Sequence, residues 1–265
     1  PTTQNQYINL LAGRTRLVGG LPALLDKYEL RTTKPAYTAA SVKMYQQSLN
    51  IADLQVYTFS DLKPETVQAY EIGYKGLLTN KLLIDVSYYY NSYDNFIVDL
   101  ALVQPTSPGN LVNAQNFITT VNNPGKVDSH GAALGLDYKV GKFNLSGNVS
   151  YNNLLNTSST FINDFNTPKI RFNVGVASRE ITKNVSFNAT YRWQDTFNWQ
   201  STFVQGDVPA FGTIDAQVSL RVPAYSSSIK IGGSNILNKY YTTSYGNPEV
   251  GGMYYVSLTF DQFMR

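Results

Sequence analysis

The sequence predicts an all-β fold, a transmembrane antiparallel β-barrel wall of about nine strands. Three observations carry that expectation. Nine segments alternate apolar and polar residues with period two, the signature of strands with one apolar face. The connections between them alternate between short and long. Charged residues are only 15% of the chain and aromatics 13%, with 20 Tyr and 13 Phe, whereas an ordinary soluble domain carries about 25% charge.

Taken in order, residues 1–60 stand apart, with scattered Leu, Thr and Gln and no sustained alternation. ASVKMYQQSL (40–49) is expected to form at most a short helix. Residues 61–265 hold the strands. In 66–77, Tyr70, Ile72 and Tyr74 oppose Glu71, Gly73 and Lys75. In 82–98, Leu82, Ile84, Val86, Tyr88 and Tyr90 oppose Asp85, Ser87, Tyr89 and Asn91. In 129–140, Ala132, Leu134, Leu136, Tyr138 and Val140 oppose Gly131, Ala133, Gly135, Asp137 and Lys139. In 143–152, Phe143, Leu145, Val149 and Tyr151 oppose a row of Asn and Ser.

The second half repeats the pattern. Ile170, Phe172, Val174 and Val176 oppose Arg171, Asn173 and Gly175. Val185, Phe187, Ala189, Tyr191 and Trp193 oppose Ser186, Asn188, Thr190, Arg192 and Gln194. Ile214, Ala216, Val218, Leu220 and Val222 oppose Asp215, Gln217, Ser219 and Arg221. Ile229 and Ile231 oppose Lys230 and Gly232, and Tyr254, Val256, Leu258 and Phe260 close the series.

Short connections (TNKL, GK, TKN, PAYSS) alternate with longer loops at about 99–128, 153–168, 200–210 and 241–250, rich in Asn, Thr, Gly and Pro. Short turns on one rim and long loops on the other are the pattern of outer-membrane barrels. Tyr88, Tyr90, Tyr138, Tyr151, Tyr191, Trp193 and Phe260 fall where interfacial aromatic girdles belong. A soluble β-sandwich would alternate too, with its apolar side inward. The small neutral polar faces, the loop alternation and the girdle aromatics favour lipid outside.

Several classes are excluded. No apolar run approaches the roughly 20 residues of a membrane helix, and low charge with many aromatics argues against disorder. The chain has no Cys and one His, His130, so thiolate and multi-His metal sites are ruled out. A net charge of +3 with pI near 8.9 is spread along the chain and forms no nucleic-acid stripe. GxSxG, HExxH and P-loop motifs are absent. His130 falls with the outward set as a structural or interfacial residue. Gly232-Gly233 suits close strand packing, and Asp94-Asn95 suits turn chemistry. The opening PTTQNQYINL, without initiator Met or leader character, is expected to begin a mature or internal piece.

Four motifs then point to a family. Asp61-Leu-Lys-Pro-Glu65 followed by Tyr70-Glu71-Ile-Gly73-Tyr74-Lys75-Gly76 resembles the L-x-P-E loop and YE-x-G-x-K strand of TonB-dependent outer-membrane receptors. Gly233-Ser-Asn235-Ile-Leu237-Asn238-Lys239-Tyr240-Tyr241 resembles their penultimate-strand signature. Gly251-Gly-Met-Tyr254-Tyr-Val-Ser-Leu-Thr-Phe260 resembles the closing strand. Pro1-Thr-Thr-Gln4 with Gln6-Tyr7 resembles the residues after the F-R-x-P strand end in receptors of Bacteroidetes type. Unlike those receptors the chain continues past the aromatic as DQFMR, where either Phe263 substitutes in recognition by the assembly machinery or the tail protrudes into the periplasm.

The resemblance implies the last nine strands of a 22-stranded barrel plugged by an N-terminal domain. An odd strand count cannot complete a bacterial barrel. Residues 1–60 are then a long extracellular loop region. The resemblance further implies import of a scarce nutrient, a ferric siderophore or similar, with energy delivered by TonB. The alternatives are a SusC-like glycan or peptide importer, a passive porin and a barrel adhesin.

No catalytic residues, cofactor or metal are expected, nor any nucleic-acid partner. The partners implied are the rest of the barrel and its plug, TonB through an N-terminal segment, outer-membrane lipid, and a surface lipoprotein if the chain is SusC-like. Phe197, Trp199, Phe203, Tyr241 and Tyr245 are the candidate ligand rim. Glu71, Lys75, Arg171, Arg192 and Arg221, from a lumen set of mixed sign, are the candidates for plug contact, with Arg suited to bidentate carboxylates.

Overall fold

A computed structural model describes residues 1–34, 36–107 and 110–260. DQFMR, with Phe263, lies outside the described residues. Two sheets dominate. The larger has nine antiparallel strands: β4 (Thr66–Leu78), β5 (Leu82–Asp94), β8 (Val127–Val140), β9 (Phe143–Leu155), β11 (Ile170–Thr182), β12 (Val185–Gln194), β15 (Phe211–Val222), β16 (Ser227–Ser234) and β17 (Met253–Phe260). Each pairs with its neighbours in sequence order from β4 to β17. The nine are those the alternation predicts, and β4 and β17 are open edges.

Register explains why the alternation is so regular. Tyr70 faces Tyr90, Ile72 faces Tyr88 and Tyr74 faces Val86, with Lys75 opposite Asp85. The apolar rows continue unbroken across Leu134–Val149, Phe172–Trp193, Val218–Ile231 and Ile231–Val256. A one-residue slip would move every apolar side chain to the other face, so this pattern fixes pairing. β11 shifts register against β12 between Ser178 and Thr182, next to a short turn.

The short turns carry the backbone such turns need. Thr79, Asn80, Gly141 and Ser226 all have positive φ. His130 lies among the outward residues, its ring edge-on to Tyr88 and Tyr151.

The smaller sheet has six strands and forms a cap on the loop side of the wall. Its order is β1 (Asn9–Ala12), β2 (Thr15–Val18), β7 (Gln115–Asn122), β6 (Ile97–Gln104) and β10 (Phe161–Ile162), with β3 (Tyr37–Thr38) also on β6. Residues 1–60 therefore do not lie loose. They pack onto a β6–β7 hairpin formed by the connection between β5 and β8, a segment the alternation leaves mostly as loop. Three helices complete the cap: α1 (Thr3–Tyr7), α2 (Pro22–Lys27) and α3 (Ala39–Ser48). Thr38 caps α3 by accepting from the Ser41 N–H. Among the described residues, no helix is long and apolar enough to cross a membrane.

The two sheets bury their apolar residues oppositely. Val18, Leu25, Leu30, Val98, Leu100, Leu102, Phe117 and Phe161 form a closed core in the cap. In the wall, Tyr70, Ile72, Val174, Val218, Ile231, Val256 and Leu258 are all exposed. A sandwich core at these positions is thereby overturned.

Candidate ligand site: the polar wall and its loop-side rim

The face of the wall opposite the apolar rows is held by cross-strand polar contacts. Lys75 Nζ lies 2.9 Å from Asp85 Oδ2, directly across β4 and β5. Arg192 on β12 pairs with Asp215 on β15. Tyr89 donates to Asn152 Oδ1 at 2.8 Å, Asn144 to Asp137 at 2.8 Å, Asn173 to Asn148 at 2.9 Å and Tyr255 to Gln217 at 2.6 Å. The amides and hydroxyls thus form a laterally bonded polar lining.

All five sequence-predicted lumen residues lie on this face. Lys75 and Arg192 are engaged within the wall. Glu71 sits opposite Tyr89, Arg171 opposite Ser150 and Gln194, and Arg221 opposite Ser228. Among the described residues these last three form no ion pair.

Two of the motifs that carry the resemblance have local physical roles. At the base of the β6–β7 hairpin, Asn122 Oδ1 accepts from the Lys63 N–H at 2.7 Å while its Nδ2 donates to Lys63 O at 3.0 Å. Glu65 Oε2 accepts from the Ile97 N–H at 3.0 Å. The Asp61–Glu65 segment is therefore the clasp between wall and cap. After β16, Asn235 is buried with φ +51°, a conformation Asn tolerates better than most residues. Its N–H donates to Asp215 Oδ1 at 2.8 Å, and its amide bonds Lys239 twice. The Asn235–Lys239 turn is thus tied to the same aspartate that pairs with Arg192.

Above the polar face, β13 (Phe197–Gln200) and β14 (Gln205–Val208) form a separate hairpin. The loop at 153–168 is locked to it: Asn166 donates to Gln200 O and accepts from the Gln200 N–H, both at 2.7 Å. That amide satisfies the strand-end backbone as a neighbouring strand would. Thr202 at the hairpin tip donates to Asp99 of β6 at 2.8 Å, and β10 pairs with β6. Loops from three connections therefore converge on the cap.

A cavity of about 490 Å³ opens between the hairpin and the 153–168 loop, lined by Phe165, Asn166, Lys169, Asp195, Phe197 and Gln200 among others. Of the five predicted rim aromatics, only Phe197 lines it. Trp199 packs beside Phe197 at 6.4 Å between ring centroids, and Phe203 is exposed at the hairpin tip. Tyr241 stacks on Phe211 at 4.1 Å. Tyr245 lies so close over Gly206 that a Cβ there would sit 2.3 Å from its ring. The structure does not gather the five at one point. Phe165, Asn166 and Gln200, which sequence reasoning missed, lie in stretches without periodicity. The available signal was Asn-rich turn chemistry, with positive φ at Asp164 and Asn166. Burial, reinforced by the Asp99 carboxylate, raises the Asp164 pKa.

An open antiparallel wall with one apolar exposed face, one polar laterally bonded face, short turns below and structured loops above defines part of a transmembrane β-barrel. The profile described as "TonB dependent receptor-like, beta-barrel" matches residues 34–238, so this chain belongs to the TonB-dependent receptor β-barrel family.

Solved structures share the fold. The siderophore receptor PirA from Acinetobacter baumannii aligns with TM-score 0.53 and 18% identity, over 75% of this chain and 32% of that one. The copper transporter OprC gives TM-score 0.55 and 18% identity over 74% and 31%. A mutant of the ferric enterobactin receptor PfeA from Pseudomonas aeruginosa gives 0.52 and 18% over 75% and 31%. The chain spans about a third of the length of these structures, and it is part of a larger barrel. No curated protein matches the sequence.

Proposed function

We propose that this chain is the C-terminal wall and loop-side cap of an outer-membrane transporter that imports a scarce nutrient, a ferric siderophore or similar, using energy delivered by TonB. The carrying observation is the pair of faces on one sheet: exposed apolar rows suited to lipid, backed by a continuous polar lining suited to a substrate path. In this reading residues 1–60 and the cap are extracellular, and the barrel lies in the outer membrane of a Gram-negative bacterium, of Bacteroidetes type by the opening motif. Glu71, Arg171 and Arg221 are left to meet a plug domain within the lumen. TonB acts through that plug, and no covalent chemistry is required of the wall.

One observation favours a second reading, the SusC-like importer of a neutral, hydroxyl-rich nutrient such as a glycan, which would then work with a surface lipoprotein. The loops at 153–168, 195–210 and 241–250 carry Asp164, Asp195, Asp207 and Glu249, against Lys169 on the cavity wall. That excess of carboxylates disfavours an anionic metal chelate by like-charge repulsion, while amides beside Phe165 and Phe197 suit hydroxyls and apolar ring faces.

The test is uptake by cells carrying the full-length receptor, with TonB present or deleted, for a ferric chelate and for a neutral oligosaccharide. TonB-dependent uptake of either supports the transporter, and the one taken up decides the substrate class. Solute flux that is unchanged without TonB would identify a passive pore and sink the proposal.

A further inference from the structure

The outward face of the wall is not uniform. A groove of about 680 Å³ crosses it, lined almost wholly by apolar residues. It runs between two adjacent rows of outward positions. One row is Ile84, Leu136, Gly147, Val174, Tyr191 and Ile214, and the other is Leu82, Tyr138, Leu145, Val176, Ala189 and Ala216, each following strand register from β5 to β15. The depression exists because Gly147 and Ala189 are short where their neighbours Leu145, Val174 and Tyr191 stand tall.

Its direction is informative. At β5 the groove starts at Leu82, the first residue after the short turn; at β15 it reaches Ile214, well up the strand from the turn at 223–226. Six strands at a spacing of about 4.8 Å give a length of roughly 24 Å. In a barrel whose strands tilt about 35–45°, a line perpendicular to them rises about 14–17 Å along the membrane normal. Half of a hydrocarbon core about 30 Å thick is about 15 Å. The groove therefore climbs through one leaflet, from the turn-side surface to the middle of the bilayer.

The lower end is also chemically distinct. Lys81 and Lys142 occupy the two adjacent short turns there, both exposed, and the first turn is tied to the end of β8 by the Lys139 N–H donating to Lys81 O at 2.9 Å. Tyr138 stands at the same end, where an aromatic ring with a hydroxyl suits the headgroup level. Two ammonium groups at the mouth of a leaflet-long apolar groove complement a phosphate diester joined to an acyl chain.

We propose that this groove is a specific site for one anionic phospholipid of the turn-side leaflet, its acyl chain lying over Gly147 and its headgroup held by Lys81 and Lys142. Lipid elsewhere on the wall exchanges freely, but here the chain is enclosed on both sides and the headgroup is paired.

A clean variant is available. A Cβ at Gly147 would lie 3.5 Å from Asn173 O, an ordinary contact, so Gly147→Leu fills the groove without forcing the strand. The full-length receptor, reconstituted in phosphatidylcholine, is titrated with spin-labelled phosphatidylglycerol or spin-labelled phosphatidylcholine, and the motionally restricted fraction is read. The expected result is preference for phosphatidylglycerol, falling by up to about fivefold for each lysine removed in Lys81→Gln and Lys142→Gln. Gly147→Leu, with unheated gel mobility showing an intact barrel, is expected to abolish the preference for phosphatidylglycerol. Equal restriction of the two lipids, or a preference unchanged in Gly147→Leu, overturns the proposal. So does a receptor dimer that Gly147→Leu dissociates, which would assign the groove to a second copy of the chain.

Discussion

In the wall, Ile72 and Val256 are each 73% exposed; in the cap, Leu100 is 0% and Leu102 1% exposed. Both regions are built of β-strands, and β6 in the cap alternates half-buried and buried along its full length. The difference is the partner of the apolar face. In the cap it is helices and strands of residues 1–60 folding back over β6 and β7. In the wall it is lipid, which is why those side chains are left bare by protein. From β4 to β17 the wall's strands pair one to the next without a gap, as a bilayer requires, whereas the cap relies on a conventional core. Substitution at matched positions should therefore have unlike effects in the two regions.

The largest effect belongs to the cap core. Leu100→Ala removes a fully buried side chain and is expected to cost about 2–5 kcal/mol. Because the cap joins the wall chiefly through the Asp61–Glu65 clasp and loop contacts, the loss should appear as protease cleavage within 1–60 while the barrel keeps its heat-resistant gel mobility. Val174→Ala, at an exposed wall position, should leave cap proteolysis unchanged. Cleavage appearing equally in both variants would show that the two regions are one cooperative unit and break the comparison.

A charge reverses the ranking of the regions. Val174→Arg, near the middle of β11 on the outward face, should cost about 2–4 kcal/mol when refolding is measured into bilayers. Leu49→Arg, at an exposed cap position, should change stability little, because that side chain meets water. If Val174→Arg proved neutral in bilayers, the outward face would not be the lipid face.

These contrasts bear on what the sequence disclosed. All nine wall strands were legible because each is eight residues or longer and its faces differ in polarity, so the period shows without knowing the partner. β6 was harder. Ile97, Ala101 and Val103 are apolar on the face opposite Val98, Leu100 and Leu102, so no polar face marks a strand there, and the alternation ends at 98 and leaves 99–128 as loop. Strands as short as β2 and β10 fall below any periodic signal. The cap also depends on parallel pairing of β2 with β7, about a hundred residues apart, which no local pattern encodes. The cavity beside Phe197 was half legible. An aromatic rim was expected from loop composition, but Asn166 bridging to Gln200 is a tertiary hydrogen bond between unpatterned loops.

A smaller effect tests how α1 is held against the cap. Gly19 and Gly20 donate to Ile8 O and Asn5 O at 2.7 and 2.8 Å, and a Cβ on Gly19 would sit 2.2 Å from Gln6 O. Gly19→Ala forces the first helix away and should cost about 1–3 kcal/mol, the range for overpacking. Amide hydrogen exchange should rise in residues 3–8 and stay unchanged in β8 and β9. Exchange rising in the wall as well would mean that α1 supports the barrel.

The smallest effect is a pH dependence confined to the cap. Hydrogen bonds from Lys34 and Thr33 hold the Glu29 carboxyl below its usual range, Lys34 first. A carboxylate whose pKa is lowered on folding adds stability that is fully present above its unfolded value of 4.5. That stability is lost as pH falls through the lower folded value. Wild type should therefore exceed Lys34→Gln in cap stability at pH 7, with the gap closing below pH 4.5, where Glu29 takes up its proton. The group is at the surface, so the gap should be modest and shrink with added salt. The readout is the protease susceptibility of residues 1–60 across pH in the full-length receptor. Because both residues belong to the cap, the gel mobility of the barrel should show no difference between wild type and Lys34→Gln at any pH. A gap that persisted undiminished at pH 3 would show that Lys34 stabilises the cap through its packing along the α2–β3 connection and not through the charge of Glu29.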